Sequence, residues 1–405
     1  MSIIRDLTVK IKKEIDNNEV ALIVGPRQSG KTTILRQIED FIQEKGNAVH
    51  FLNLEDYEYL SLLKKTPKNL FKIFPFDLKQ KTYVLVDEVQ YLDDPTNFLK
   101  YFYDEYKGKI KIIATGSSAF YIDRRFKDSL VGRKKIFRLL PLSFREFLKF
   151  KNKEDLAKKN FNKISLSEKE KVDLYYREYL TYGGYPRVVL SDRAQKKEVL
   201  GDLVHSYIKK DIFEANIKQE EVFYNLMRIL ASQTGNLVNS SELASTLKIS
   251  RSTVEDYLSI MERSFHIRLV SPFYGNLRKE ITKMPKVYFL DLGLRNFLLK
   301  NLDSYDLRED KGQLLENALY RELLEKYDFS EIKFWRTIQK HEVDFVVEEE
   351  TAYEVKVNSE KFNKNKYKKF IETYPKIKFY IATINRIKEK INNIPVVDIR
   401  QLEKC

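Results

Sequence analysis

At 405 residues the chain exceeds one ordinary domain, so two to four cores are expected. Its one cysteine is the last residue, Cys405, which excludes internal disulfides and cysteine metal sites, and no apolar run reaches the roughly 18 to 20 residues of a membrane span. The formal charge of +14 favours polyanionic partners such as nucleic acid, although lysines spread along the chain beside Ile, Tyr and Asn equally fit a compositional bias.

No leader pattern opens the sequence, so the expected setting is cytoplasmic, with no membrane partner. His50, His205, His266 and His341 are too scattered for a zinc site, which leaves oxygen ligands for any metal. The first informative stretch is the apolar run Val20 to Val24, followed by Gly25-Pro26-Arg27-Gln28-Ser29-Gly30-Lys31-Thr32-Thr33. It predicts a buried strand, a loop of the form G-x-x-x-x-G-K-T and a helix start. The two glycines let successive N–H groups close around a phosphate at a helix N-terminus. Lys31 then reaches the β- and γ-phosphates, and the Thr32 hydroxyl coordinates the Mg²⁺ they share, so ATP with Mg²⁺ is the expected ligand.

A helix from Thr33 to Glu44 follows, then a strand from Val49 to Leu54 whose polar end, Asn53 to Asp56, falls where open α/β sheets collect ligands. Residues 57–80 read as helical with loops. The run Thr82 to Gln90 is a buried strand that finishes on Asp87 and Glu88. Asp87 is placed to hold Mg²⁺ and Glu88 to polarise the water attacking the γ-phosphate. A further strand, Lys109 to Ala114, ends in Thr115-Gly116-Ser117-Ser118, which suits a polar sensor of the phosphate. A helix through Arg125 leads to Arg133 and a strand near Lys135 to Leu140.

From Ile4 to about Leu190 these motifs resemble the AAA+-type P-loop ATPases, in particular predicted bacterial and archaeal ATPases with a C-terminal extension. The resemblance implies a sensor role for Ser117 or Ser118, an arginine finger at Arg133 and a restraint on the catalytic glutamate by Asn53. A finger completes a neighbour's site, which implies a homo-oligomer. Residues 151–172 read as a solvated insertion or helix link, and Tyr175 to Leu180 as helix. Gly183-Gly184-Tyr185-Pro186 then breaks that helix. It resembles the lid element whose proline, here Pro186, packs on nucleotide, and it equally fits a simple helix-ending turn.

Residues 199–231 carry helical periodicity. Val238 to Leu258 reads as two short helices, the second opened by Ser250, with Leu269 to Phe273 and Lys286 to Leu290 as wing strands. Arg251, Ser252 and Thr253 begin the helix that meets bases in DNA-binding winged helices, a fold that also serves as a purely structural lid. Near the C-terminus a helix begins at Gly312, and strands are expected at Ile332 to Arg336, Glu342 to Val347 and Tyr353 to Val357. Residues two apart on a strand share a face, so Glu354 and Lys356 point together and Asp344 can add a second carboxylate.

This set resembles the PD-(D/E)xK nucleases, with Val343 where the proline usually stands. The resemblance implies Mg²⁺ on Asp344 and Glu354, Glu316 as the acid of the first helix, and Lys356 steadying the attacking water. The expected architecture is α/β: a P-loop parallel sheet over residues 1–150, a helical lid over 151–230, a winged helix over 231–300 and a restriction-endonuclease-like domain over 301–405. The expected function is ATP hydrolysis coupled to DNA binding or processing. The alternative is a signalling ATPase that controls a protein assembly, with an inactive nuclease-like domain.

Overall fold

Five consecutive buried apolar residues, Val20–Val24, form strand β1, and with no polar face to show to water they need cover on both sides. The sheet around β1 supplies it. Strands β2 (Ala48–Asn53), β3 (Thr82–Asp87), β4 (Ile110–Gly116) and β5 (Lys134–Arg138) join it in the order β2-β3-β4-β1-β5, every pairing parallel. The central strands β1, β3 and β4 are buried along their whole length, whereas the edge strands β2 and β5 are partly exposed. Because all five strands run the same way, Gly25, Asp87 and Gly116 leave the sheet at one edge.

The computed structural model describes residues 3–116, 130–274, 280, 283–385 and 388–402. They fall into two compact units, residues 1–140 with 263–265 and residues 141–262 with 266–405. Ser117, Ser118, the helix drawn through Arg125 and Cys405 lie outside the described residues.

In the first unit helix α1 (Asp6–Lys13) precedes β1, and α2 (Lys31–Glu44) lays Ile34, Leu35, Ile38 and Ile42 on Ala21, Ile23, Leu85 and Ile113 of the sheet. Helices α3 (Tyr57–Lys65) and α4 (Leu70–Ile73) follow. Helix α5 (Pro95–Tyr106) has no counterpart in the sequence reading. Its signals are ordinary ones: Asp94 accepts the Asn97 N–H as a cap, Pro95 stands in the first turn, and Phe98, Leu99 and Phe102 are buried at helical spacing. The strand expected to finish on Asp87 and Glu88 stops at Asp87, because Glu88 takes a left-handed backbone conformation.

The second unit begins at Pro141, so the first unit ends before the expected boundary at 150. Helices α6 (Phe144–Phe150), α7 (Glu154–Lys158) and α8 (Leu166–Tyr182) come first. The stretch 151–172 is therefore more than a solvated link. A capping box formed by Ser165 and Glu168 opens α8 well before Tyr175, and Ala157, Phe161 and Val172 are buried. Helices α9 (Pro186–Leu190), α10 (Lys196–Glu214) and α11 (Glu220–Ser232) follow, so the periodicity of 199–231 resolves into two helices.

Helices α12 (Ser240–Leu247) and α13 (Arg251–Arg263) lead to a hairpin of β6 (Ile267–Val270) and β7 (Lys286–Phe289), and Leu237 bridges β7 on its other side. The same core takes in Leu243, Val254, Leu258, Ile267 and Val287. After α14 (Leu292–Leu298) and α15 (Lys311–Leu323) comes the second large sheet: β8 (Ile332–Arg336), β9 (Glu342–Val347), β10 (Thr351–Val355), β11 (Lys378–Thr383), β12 (Lys390–Ile391) and β13 (Ile394–Asp398), with α16 (Lys368–Thr373) before β11. Strands β8, β9 and β10 form an antiparallel meander, and β11 joins β10 in parallel.

Glu322 on α15 is buried, with one carboxyl oxygen lacking a hydrogen-bond partner among the described residues. Burial, helped by Glu325, pushes its pKa up to about 8. The folded chain therefore holds a proton that the unfolded chain releases above about pH 4.5, and stability falls as pH rises from there to 8. Glu322→Gln, neutral at every pH, is expected to flatten the fall of Tm between pH 5 and pH 8; an unchanged slope counts against this assignment.

Candidate functional site

The loop after β1 is shaped by close approach. A Cβ on Gly25 would lie 2.0 Å from the Leu139 carbonyl oxygen, so only glycine lets the chain pass the segment after β5. Gly30, at φ 100°, turns the chain into α2 at Lys31, and Gln28 between them also has positive φ. The Ser29 hydroxyl donates to Pro26 O at 2.8 Å. The buried Arg5 guanidinium donates to Ser29 O and to Leu140 O, each at 2.9 Å, and so pins the loop to the end of the sheet. Arg27 is half-buried and Thr33 exposed.

The Lys31 ammonium donates to Gly25 O at 3.1 Å and to Pro26 O at 3.0 Å. It is thus held over the loop, in the position from which a lysine meets phosphate oxygens. Thr32 Oγ1 donates to Asp87 Oδ2 at 2.7 Å. Asp87 Oδ1 accepts from the Thr115 hydroxyl, and Thr115 Oγ1 in turn accepts the Glu88 N–H at 2.9 Å. The Gln90 carboxamide donates to Glu88 Oε2. One run of hydrogen bonds thus links α2, β3 and β4 at the edge where the phosphate loop stands.

A hydroxyl and a carboxylate this close fit Mg²⁺, which keeps most of its waters and takes one or two protein oxygens beside the phosphates. Glu88 sits at φ 58°, ψ 50°, a conformation that a side chain other than glycine seldom adopts and that commonly marks a functional constraint.

Thr115 and Gln90 are absent from the residues chosen on sequence. Thr115 has a legible signal, a hydroxyl at the end of an apolar strand, and the structure buries it fully, whereas the resemblance assigns the sensor role to Ser117 or Ser118. Asn53 stands opposite Asp87 in the β2–β3 register, yet its carboxamide oxygen accepts the Glu55 N–H at 3.0 Å, and the amide on Glu88 is that of Gln90. Arg133 precedes β5 and is bonded through its carbonyl to the Val20 N–H, at the end of the sheet away from the phosphate loop. Its side chain pairs with Asp104 at 2.8 Å.

Pro186 is the first residue of α9 in the second unit. The glycines before it have a packing reason. A Cβ on Gly183 would lie 2.3 Å from Asp291 Oδ1, and one on Gly184 2.3 Å from Leu142 O. Asp291 Oδ2 accepts the Gly184 N–H at 2.7 Å, and burial raises the carboxyl to about 6 despite that bond and others.

The C-terminal acids do converge. Asp344 on β9 accepts the Val355 N–H of β10 at 2.8 Å, while Glu354 receives Lys356 Nζ at 2.5 Å and the Tyr367 hydroxyl at 2.7 Å. Glu316 on α15 receives the Tyr288 hydroxyl at 2.5 Å and Lys286 Nζ at 3.1 Å. Lys286 Nζ also lies 2.6 Å from Glu342 Oε1 and 4.0 Å from Asp344 Oδ1. Burial works against this ammonium, but Glu316, Asp344 and Glu342 outweigh it and hold its pKa above the usual value. Burial likewise raises Glu316, Asp344 and Glu354, so the acids share less negative charge than their number suggests.

The resemblance implies Mg²⁺ on Asp344 and Glu354, whose oxygens are engaged by the Val355 N–H and by Lys356 and Tyr367, while Lys286 stands among Glu316, Glu342 and Asp344, where a divalent ion needs oxygens at about 2.0 to 2.6 Å. The residues as they stand do not fit the metal that the sequence reading placed here. Among the described residues no group of three or more His, Cys, Asp and Glu is disposed to hold one. Lys286 and Tyr288 of β7 and Tyr367 before α16 join this group from elements that nothing local in the sequence ties to it, whereas Glu342, two residues from Asp344 on β9, was within reach of the same-face rule.

Residues 17–148 match the AAA domain family, residues 173–305 a domain of unknown function (DUF8612), and residues 311–402 a further domain of unknown function (DUF4143). An uncharacterized protein of Haemophilus influenzae is 27% identical over 387 residues, covering 88% of this chain and 90% of that protein. The uncharacterized protein MJ1544 of Methanocaldococcus jannaschii is 29% identical over 389 residues, covering 92% and 80%. Among solved structures, C. elegans PCH-2 aligns with a TM-score of 0.32 at 18% identity, over 49% of this chain and 59% of PCH-2. AMPPCP-bound DnaA from Aquifex aeolicus aligns with a TM-score of 0.31 at 16% identity, over 64% and 89%. The chain thus carries an AAA domain of the P-loop ATPase kind, followed by a separate α/β sheet domain.

Proposed function

We propose that this chain is a Mg²⁺-dependent ATPase of the AAA+ type. The observation that carries this reading is the hydrogen-bonded run Thr32, Asp87, Thr115, Glu88 and Gln90 beside a loop whose lysine is already poised. Gly25, Gly30 and Lys31 hold the phosphates, Thr32 and Asp87 hold the metal, and bound Mg²⁺ neutralises the developing phosphate charge. Glu88, fixed by Gln90, orients the attacking water.

Arg133 has its role in a neighbouring copy. It stands just before β5, six residues or about 20 Å from the level of Gly25, so its own nucleotide is out of reach. A finger from one chain then completes the site of the next, and the working form is a homo-oligomer. Mixing Arg133→Ala chains with Lys31→Ala chains is expected to restore turnover that neither has alone. No recovery under conditions of subunit exchange would remove the finger.

For the second unit the reading is a winged helix over 231–300 and a nuclease-like domain over 301–405. Coupling to DNA is supported by a cavity of about 720 Å³ whose lining includes Lys197, Arg228, Lys300, His205, Tyr224 and Phe297. Cations beside aromatic faces suit backbone phosphates and stacked bases. The second reading, a signalling switch with an inactive nuclease-like domain, is favoured by Lys286 lying among the C-terminal acids. ATP turnover measured with and without DNA separates them: stimulation supports the DNA reading, and ATP-dependent assembly without any DNA effect supports the switch.

A further inference from the structure

Lys286 comes to the acids from outside the C-terminal sheet. It belongs to β7, which pairs with β6 and Leu237, whereas Glu316 lies on α15 and Glu342 and Asp344 lie on β9. Its side chain is 1% exposed. An ammonium this deeply buried is costly unless charges of opposite sign surround it, and three acids do.

The strand that delivers the lysine is fixed in place. The Asn317 carboxamide of α15 donates to Phe289 O and accepts the Phe289 N–H, both at 2.8 Å, so helix and strand are joined as a ladder would join them. Space for the acid is reserved as well. Gly235, at φ 79°, would place a Cβ 3.0 Å from both Glu316 carboxyl oxygens. The Tyr288 hydroxyl completes the shell on Glu316. Lys356, the lysine expected to serve chemistry, is engaged with Glu354 instead of this group.

We propose that Lys286 is a tethered cation standing in for a divalent metal at the C-terminal carboxylate site, which is closed to Mg²⁺ and Mn²⁺ while β7 holds its place against α15. The proposal rests on the charge geometry of this site and is independent of ATP hydrolysis. Its chemistry gives a specific contrast. Lys286→Ala removes the charge and opens the space, so a divalent ion can enter; Lys286→Met removes the charge and keeps the space filled, so it cannot.

The test uses the full chain without nucleotide, with thermal melting and Mn²⁺ binding by electron paramagnetic resonance as readouts. Every variant carries the same phosphate loop, so metal bound there cancels in the differences. Lys286→Ala is expected to melt several degrees below the native chain without metal, to recover in millimolar Mn²⁺, and to bind one Mn²⁺ more per chain than the native protein. Adding Asp344→Asn should abolish both gains, and Lys286→Met should show neither. Should Lys286→Ala fail to fold, the native chain and Asp344→Asn are compared, and equal Mn²⁺ binding is expected. The proposal is overturned if the native chain loses a bound Mn²⁺ on Asp344→Asn, or if Lys286→Ala gains none.

Discussion

Glu88→Gln is expected to bind ATP as the native chain does and to turn it over about 10² to 10⁴ times more slowly, the usual loss when a water-orienting base is removed. The carboxamide keeps the size of the side chain and its bond with Gln90, but it cannot draw a proton from water. Lys31→Ala should fail one step earlier. Its ammonium is fixed directly over the loop carbonyls of Gly25 and Pro26, so its loss removes the phosphate contact itself and abolishes binding. Phosphate release and binding of a fluorescent ATP analogue, measured on the same preparations, report the two steps separately. Native turnover by the Glu88 variant would end the catalytic assignment, and tight binding by the Lys31 variant would end that of the loop.

Gly183→Ala should strongly destabilise the second unit. The residue stands at φ 74°, ψ −161°, a region closed to side chains, and the added carbon would press on Asp291 from 2.3 Å. Backbone strain and overpacking together come to about 3 to 5 kcal/mol, which lowers Tm by about 10 °C. A Tm within a degree or two of native would show that the turn tolerates a side chain. Pro186→Ala leaves the glycines in place and so isolates the other reading of this segment. Weakened ATP affinity at unchanged Tm would assign the proline to nucleotide; unchanged affinity would leave the turn as its whole role.

The elements readable in sequence are those whose physics is local. The apolar runs Val20 to Val24 and Thr82 to Asp87 announce buried strands, Gly30-Lys31-Thr32 announces a phosphate loop, and Asn239 caps a helix by bonding the next two N–H groups but one. Residues whose role depends on pairing across the chain were harder to find. Thr115 matters because β4 is inserted between β1 and β3, an order no single segment encodes. Asp344 and Glu354 were legible from strand spacing and Glu316 only from the nuclease resemblance, but their counter-charge was not: Lys286 is 30 residues from Glu316 and on another element. Its neighbours in sequence mark it only as a strand residue.

The β7 lysine also bears on how this chain can be divided and inherited. A fragment cut at 301 keeps Glu316, Glu342 and Asp344 but leaves behind their counter-ion, together with the Phe289 edge on which Asn317 docks. It also loses the Phe273 and Ser271 bonds that extend the hairpin segment along Phe334 of β8. Such a fragment carries a buried charge imbalance that its parent never faces. The hairpin and the C-terminal sheet are therefore expected to function as one unit: a recombination that swaps the sheet alone between relatives is expected to succeed only where the incoming acids meet a lysine in register, and substitutions at 286 and 316 are expected to depend on each other.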